Sequence, residues 1–393
     1  MLEFPKKFLW GSAIAAHQVE GNNIYNDWWE DEARAVFKFK SGEACKHYDL
    51  FRQDFDLAKS LNQNALRISI EWSRVEPEPG NFNLAEIKHY KDVIVALKER
   101  GIEPVITLHH FTSPAWFNKL GSWQNRKALS YFFGFVEKIV DVFSADVRYW
   151  ATINEPVIYI YFGYLLGIWP PHKKGIFNSI SAFYSLIFAH VQTYKIIHRI
   201  YQKNNLPPPY VGIAANLRYF LACSDTFSTR LGVYIRDKIY NLSFLEYLHK
   251  HKAMDYIGVN YYTKEDIGSF GEARVEKNSL GWDIYPEGLY KLLLKLKKFN
   301  LPVFVLENGI CTEDDNQRFS YISEHLKYLH KAMKEGLDVL GYLYWSLLDN
   351  FEWDKGFAPR FGLIEVDYNT YKRTIRESAA KYGEVCRSGK LEA

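Results

Sequence analysis

The sequence predicts an α/β fold: a single (β/α)8 TIM barrel, with eight parallel strands inside a ring of helices. Three observations carry this expectation. Short apolar runs alternate with longer helix-capable stretches, the alternation repeats eight times, and no Ser/Gly-rich linker or composition break interrupts it. Continuous apolar strands alternating with helices indicate a parallel sheet covered by helices. Eight units without a linker indicate closure into a barrel. Two doubly wound domains would alternate similarly, and periodicity alone does not separate them. Residues 1–393 are read as one catalytic domain.

The apolar runs, in order, are 8–14, 65–70, 105–108, 147–153, 211–215, 256–259, 303–306 and 340–345. The helical signal is clearest over 84–100. There Leu84, Ile87, Val93, Ile94 and Leu97 recur near helical spacing, and Gly101 follows as a natural C-terminal cap. Pro104 then introduces the buried strand at 105–108. Further helices are expected over 128–143, 181–201, 229–249 and 321–334.

Composition narrows the class of function. Of 393 residues, 48% are hydrophobic and 24% charged, which is globular rather than disordered. The 49 Lys+Arg against 46 Asp+Glu give +3, with the lysines scattered, so neither nucleic acid nor a membrane is expected as a partner. The four cysteines form no C-x-x-C pair and read as reduced thiols. Lys6 and Lys7 precede no apolar stretch long enough for a signal peptide, and no run is long enough to span a bilayer. A cytoplasmic location is therefore expected. Aromatic residues reach 17%, with 11 Trp, which fits a large aromatic core and also rings that stack on sugars.

In such a barrel the chemistry sits where strands end. The first run leads to His17, Gln18 and Glu20; the second holds Arg67 and Glu71; the third leads to His109 and His110. The fourth gives Asn154, Glu155 and Pro156, the fifth Asn216, and the sixth Asn260, Tyr261 and Tyr262. The seventh gives Glu307, Asn308 and Gly309, and the eighth gives Trp345 followed by Asp349, Glu352 and Trp353. Two of these ends are carboxylates at the tips of very apolar strands.

Cleaving a glycosidic bond needs a proton for the leaving oxygen and negative charge beside the developing oxocarbenium ion. Two carboxyl groups across one sugar ring supply both. The acid must stay protonated near neutral pH, through burial or a nearby like charge. Arg67 and Tyr262 are placed to stabilise an ionised Glu307, and Asn154 to bind a sugar hydroxyl. Singly, each feature has a plainer reading: Glu155 as a capping residue, Pro156 as a strand terminator, Asn308-Gly309 as an ordinary turn. Together, at separate strand ends of one barrel, the plain readings become improbable.

The motifs then identify a family. FLWGSAIAAHQVEG (8–21), RISIEWSRVEPEPG (67–80), TLHHFTSPAWF (107–117), WATINEP (150–156), IGVNYYT (257–263), PEGL (286–289), VLENG (305–309), WSLLDNFEWDKGF (345–357) and RFGL (360–363) resemble glycoside hydrolase family 1, the β-glucosidase and β-galactosidase family. The resemblance implies Glu155 as acid/base and Glu307 as nucleophile of a retaining, exo-acting β-glycosidase. It implies a glycone site of Gln18, His110, Asn154, Glu155, Trp345, Glu352 and Trp353, with Phe361 closing the pocket. Tyr262 would contact the nucleophile, Arg67 would lie beside it, and Asn260 near it. An ionised Glu352 would pair with Gln18 on neighbouring ring hydroxyls and repel a phosphate, which favours an unphosphorylated β-glucoside, β-galactoside or β-fucoside. No metal and no organic cofactor are implied, and the partner is a small-molecule β-glycoside or oligosaccharide.

The sequence departs from the family at Phe111, where Trp is more common, and at Thr112, where Asp is. The connections 216–255 and 262–306 are short, which trims the expected aglycone entrance. A transglycosylating β-glycosidase shares every one of these residues. A non-catalytic sugar-binding barrel is opposed by the presence of both glutamates. Smaller signals are set aside: Cys45-Lys-His47 and His249-Lys-His251 as surface residues, Asn241-Leu-Ser243 as a sequon within a helix, and 390–393 as a non-native tail.

Overall fold

The computed structural model describes residues 1–268 and 275–392. Its centre is a closed barrel of eight parallel strands in sequential order. The strands are β1 (Leu9–Ala13), β2 (Ala65–Ser69), β3 (Glu103–His109), β4 (Tyr149–Asn154), β5 (Tyr210–Ala222), β6 (Ile257–Ile267), β7 (Val303–Asn308) and β8 (Val339–Trp345). β1 pairs with β8 to close the ring, with Leu9 opposite Gly341 and Ala13 opposite Trp345. All eight apolar runs are thus strands of one sheet, and the two-domain alternative falls.

The helices follow the expected plan. The helix Leu84–Glu99 begins at Asn83, whose side chain accepts from the Ala85 and Glu86 amides, and ends before Gly101 at φ +66°. Its inner face buries Ile87, Val93, Ile94 and Leu97, while Leu84, expected on that face, is exposed in the first turn. One apolar cluster fills the space between barrel and helices. A second lies inside the barrel and includes Ala65, Val105, Ala151 and Leu343. Ala65 and Leu343 sit two residues before Arg67 and Trp345, hence on the same strand faces. This inner plug is the dry floor on which the polar residues of the rim stand.

Three sequence expectations need correction. β5 and β6 run well past 215 and 259, pairing as far as Ala222 opposite Ile267. The extension is polar on alternate positions, so a search for apolar runs stops short of it. The helix expected over 229–249 is three pieces, Phe227–Arg236, a π-helical turn Asp237–Leu242, and Ser243–Lys250. Asn241 is buried in that turn and exchanges hydrogen bonds with the Arg218 backbone, at 2.9 and 2.8 Å. Cys45 and His47 are buried, not superficial, because His47 bonds Asp54 at 2.8 Å and Arg373 spans Asp54 and the Cys45 carbonyl.

At the base of the barrel, Leu2–Glu3 pairs antiparallel with Lys390–Leu391. Lys390 and Leu391 of the segment set aside as a tail are therefore integrated into the fold, Leu391 is buried, and Ala393 lies outside the described residues. The connection 262–306 lies partly outside the described residues.

Candidate active site

Glu155 follows β4 and caps the helix Pro156–Ile160. Its φ of +42° is left-handed, a costly conformation for a side chain with a Cβ. It is held by its N–H, which donates to the Ala214 carbonyl at 2.7 Å, and by Pro156, whose ring suits the first helical position. The carboxyl then points over the barrel mouth. Its Oε1 accepts from Asn260 Nδ2 at 2.8 Å and from Asn216 Nδ2 at 3.0 Å. Burial, then the charge of Glu307, push the Glu155 carboxyl up to about 7, against the pull of the two amides and Arg67.

Glu307 ends β7 in a different environment. Arg67, itself fully buried, donates to Glu307 Oε1, and Tyr262 Oη donates to Oε2 at 2.5 Å. Both oxygens of the carboxyl thus accept a hydrogen bond, one of them from a cation. The guanidinium is spread over three partners, since its Nε reaches Thr107 at 2.8 Å and its second NH group reaches Asn154 Oδ1 at 2.7 Å. Asn308 and Gly309 are not an ordinary turn. Asn308 bonds Tyr261, Tyr321 and Tyr342 at 2.6 to 3.0 Å. A Cβ at Gly309 would fall 1.8 Å from the Trp345 carbonyl oxygen. Glycine there lets the chain after Glu307 press against the end of β8.

A cavity of about 300 Å³ opens above both glutamates. Gln18, His110, Asn154, Tyr262, Trp345, Glu352, Trp353 and Phe361 all line it with Glu155 and Glu307. Every substrate-binding residue expected from the sequence is therefore brought to one place, from six strand ends and the loop after β8. The ring of His110 lies nearly parallel to Trp345 and Trp353, at 6.0 and 6.2 Å between centroids. Flat faces in this arrangement suit the C–H side of a pyranose. Asn154 Oδ1 accepts from Arg67 and Asn260, so its amide donates to His110 Nε2 at 3.3 Å. Burial holds the imidazole neutral, which leaves the proton on Nδ1, without a protein partner. Gln18 Oε1 is likewise buried and unpartnered, while its Nε2 donates to Asn350, Phe351 and Glu352. Buried polar atoms of this kind await a ligand's hydroxyls.

Two expectations change. Asn260 is opposite Glu307 in the strand register, yet its side chain reaches Glu155. Parallel register brings the backbones together, and the alternation of side chains sends the amide to the neighbouring strand end. Glu352, expected to be ionised, is pushed up to about 8 by burial and by Glu307, with Lys355 opposing. A carboxyl raised in this way can donate as well as accept whenever it carries its proton. Asn216 was visible only as a strand-end amide; its bond to Glu155 depends on the rim extension of β5. Trp169 and Trp282, which also line the cavity, carried no sequence signal beyond being aromatic.

Phe111 packs edge-on against Trp353 and Trp169, both at 5.3 Å. Thr112 donates to Glu71 at 2.9 Å. Phe111 thus forms part of the cavity lining and Thr112 stands outside it, and neither bonds either glutamate.

Comparison with known proteins agrees with this arrangement. The family model of glycosyl hydrolase family 1 matches residues 1–247 and 234–391. A solved β-glycosidase from Pyrococcus horikoshii superposes with a TM-score of 0.93 at 38% identity, covering 100% of this chain and 96% of its own. A β-glucosidase from Thermotoga maritima, solved in complex with glucoimidazole, gives 0.92 at 29% identity, covering 99% of this chain and 100% of its own. By sequence, β-glucosidase A of Acetivibrio thermocellus is 32% identical over 449 aligned positions, 98% of this chain and 99% of that protein. That alignment is longer than the 393 residues here, so the relative carries segments this chain lacks. With both glutamates, their partners and the whole barrel accounted for, the chain belongs to glycosyl hydrolase family 1 and is a glycoside hydrolase acting on O-glycosyl bonds.

Proposed function

We propose that the protein is an exo-acting retaining β-glycosidase that removes terminal β-D-glucosyl residues, and by the same contacts β-D-galactosyl or β-D-fucosyl residues, with Glu307 as nucleophile and Glu155 as general acid and base. One observation carries the assignment of roles. Arg67 and Tyr262 both donate to Glu307, whereas Glu155 receives only neutral amides and is raised to about 7. Two chemically identical groups are thereby made unlike: Glu307 faces a guanidinium and a phenol, and Glu155 is buried with two neutral amides and raised.

In the first step Glu307 attacks the anomeric carbon, the bond to the leaving oxygen breaks, and the proton of Glu155 goes to that oxygen. A covalent glycosyl ester remains. In the second step Glu155, now ionised, takes a proton from water, the water oxygen bonds to the anomeric carbon, and Glu307 is released. Arg67 and Tyr262 steady Glu307 as it loses and regains charge. Gln18, His110 and Glu352 hold ring hydroxyls, and Trp345 and Trp353 cover the apolar face. Residues 1–393 act as one catalytic unit, a reading supported by the pairing of Leu2–Glu3 with Lys390–Leu391 under one barrel, and the cytoplasm is the location this reading assigns to it.

The test is Glu307→Gly. Hydrolysis of an aryl β-glucoside is expected to fall by several orders of magnitude, and added azide to return a glycosyl azide of inverted configuration. Full activity in the variant would assign the nucleophile elsewhere.

A further inference from the structure

Arg218 lines the cavity and takes no part in the two steps above. Asn216 and Arg218 are two residues apart on β5 and share one strand face, while Leu217 between them is buried in the core. The Asn216 amide on that face reaches Glu155 at 3.0 Å. Arg218 therefore stands one step farther out along the rim, just beyond the acid. Its backbone is fixed there, because the Asn241 side chain accepts from its N–H and donates to its carbonyl.

The guanidinium is held in place with donors to spare. Its Nη1 donates to Glu265 Oε2 at 2.9 Å, and the group lies 5.5 Å from the centre of the Tyr240 ring. Among the described residues, its Nε and Nη2 make no hydrogen bond to the protein. Those two nitrogens form one edge of the planar group, the fork that meets a carboxylate with two parallel hydrogen bonds. Glu265 does not cancel the charge, because Arg236 bonds the same carboxylate, so two guanidiniums share one anion and one positive charge is left over. The acids next in the chain are paired elsewhere. Asp237 bonds Lys295, and Asp266 and Asp283 are matched by Lys264 and Lys277.

The position of Glu155 gives this cation a direction. An acid that protonates the leaving oxygen has the aglycone beginning beside it. On that side Arg218, Tyr262 and Trp282 line the main cavity, and they also line an adjoining recess of about 40 Å³. The indole and the phenol offer apolar surface to a ring, and the guanidinium edge offers its fork to an anion. We propose that Arg218 is a specificity-determining residue of the aglycone side, and that it selects leaving groups built as an aromatic ring bearing a carboxylate. The inference rests on the reading of Glu155 as the acid of a β-glycosidase. An arginine that only tied the rim together would affect every aglycone alike.

The experiment compares kcat/KM for 3-carboxyphenyl and phenyl β-D-glucoside, whose leaving phenols are of nearly equal acidity. Wild type should prefer the carboxylate about tenfold, the worth of one charge-assisted hydrogen bond at a half-buried site, and added salt should shrink the preference. Arg218→Gln should bring the ratio close to one. Arg218→Lys should keep part of the preference, since it retains the charge and loses the fork. The ratio within each variant cancels any loss common to both substrates, including a disturbed Asn216 or a partly unfolded sample. Calorimetric titration of Glu307→Gln with the same two glucosides, with and without Arg218→Gln, reads the preference without turnover. Wild type that hydrolyses both glucosides with a ratio near one overturns the role of Arg218 and leaves the glycosidase reading standing. So does an Arg218→Gln variant that keeps the wild-type ratio. Absence of hydrolysis, with carboxylate-selective binding that Arg218→Gln abolishes, would overturn the glycosidase reading and retain the role of Arg218.

Discussion

Replacing Asn216 by Ala should shift the alkaline limit of activity upward. Glu155 Oε1 accepts two amide hydrogen bonds, from Asn260 at 2.8 Å and from Asn216 at 3.0 Å. Both stabilise the ionised form and so pull the group down, against burial and Glu307, which raise it to about 7. A hydrogen bond to a charged group contributes about 1.5–3 kcal/mol. Asn216 is half-buried, so water recovers part of the loss, and the lower figure applies. At about 1.4 kcal/mol per pH unit, the acid form of Glu155 should persist about one unit further. Glycosidic cleavage needs that acid form, so the alkaline limb of kcat/KM moves from about 7 toward about 8. The assay is kcat/KM against pH at constant ionic strength, on a β-glucoside with a poor leaving group, since this parameter reports the free enzyme. Tyr240→Phe should give a smaller shift in the same direction, because the Tyr240 hydroxyl donates to Asn216 Oδ1 at 2.6 Å and turns the amide toward Glu155. An alkaline limb that stays in place or moves down in Asn216→Ala would refute the reasoning.

Other outcomes follow from the same geometry. Glu155→Gln should slow substrates with poor leaving groups by about 10²–10⁴ and activated aryl glucosides far less; equal loss on both would remove the acid role. The same variant should be more stable than wild type in alkaline solution. The folded value of about 7 lies above the ordinary 4.5, so the folded state binds the extra proton and wild-type stability falls as pH rises between those values. The gain above that window should approach about 3 kcal/mol, read by urea unfolding at acid and alkaline pH. Arg67→Met strips Glu307 of its buried counter-charge and should cost about 3–5 kcal/mol of stability together with most of the activity, measured by denaturant melts and turnover. Glu352→Ala should lower kcat/KM about tenfold to a hundredfold through lost hydroxyl contacts, with the protein still folded by circular dichroism.

Much of the site was legible before any coordinates, for a physical reason. Glu155 stands directly after β4 and Glu307 is next to last in β7, both almost wholly buried strands, and a charged residue ending such an apolar run has few structural explanations. Arg67 was legible similarly, as a cation inside an apolar strand. What could not be read was which side chain answers which. Asn260 and Glu307 are register neighbours, yet the Asn260 amide serves Glu155. Asn216 joins the same carboxyl only because β5 and β6 extend past the barrel rim along polar residues. The upward shift of the Glu352 carboxyl is similarly collective. It arises from burial beside Glu307, which is 45 positions away in the chain.

The sequence by itself determined the eight strand–helix units and the two glutamates at their ends, because apolar periodicity and strand-end chemistry are local and repeat along the chain, and the closed sheet then chose the barrel over two doubly wound domains. Only the tertiary structure decided the burial that raises Glu155 and Glu352 and which amide answers which carboxyl. Both are effects of distance and dielectric between residues far apart in sequence, and neither leaves a trace in any single stretch of the chain.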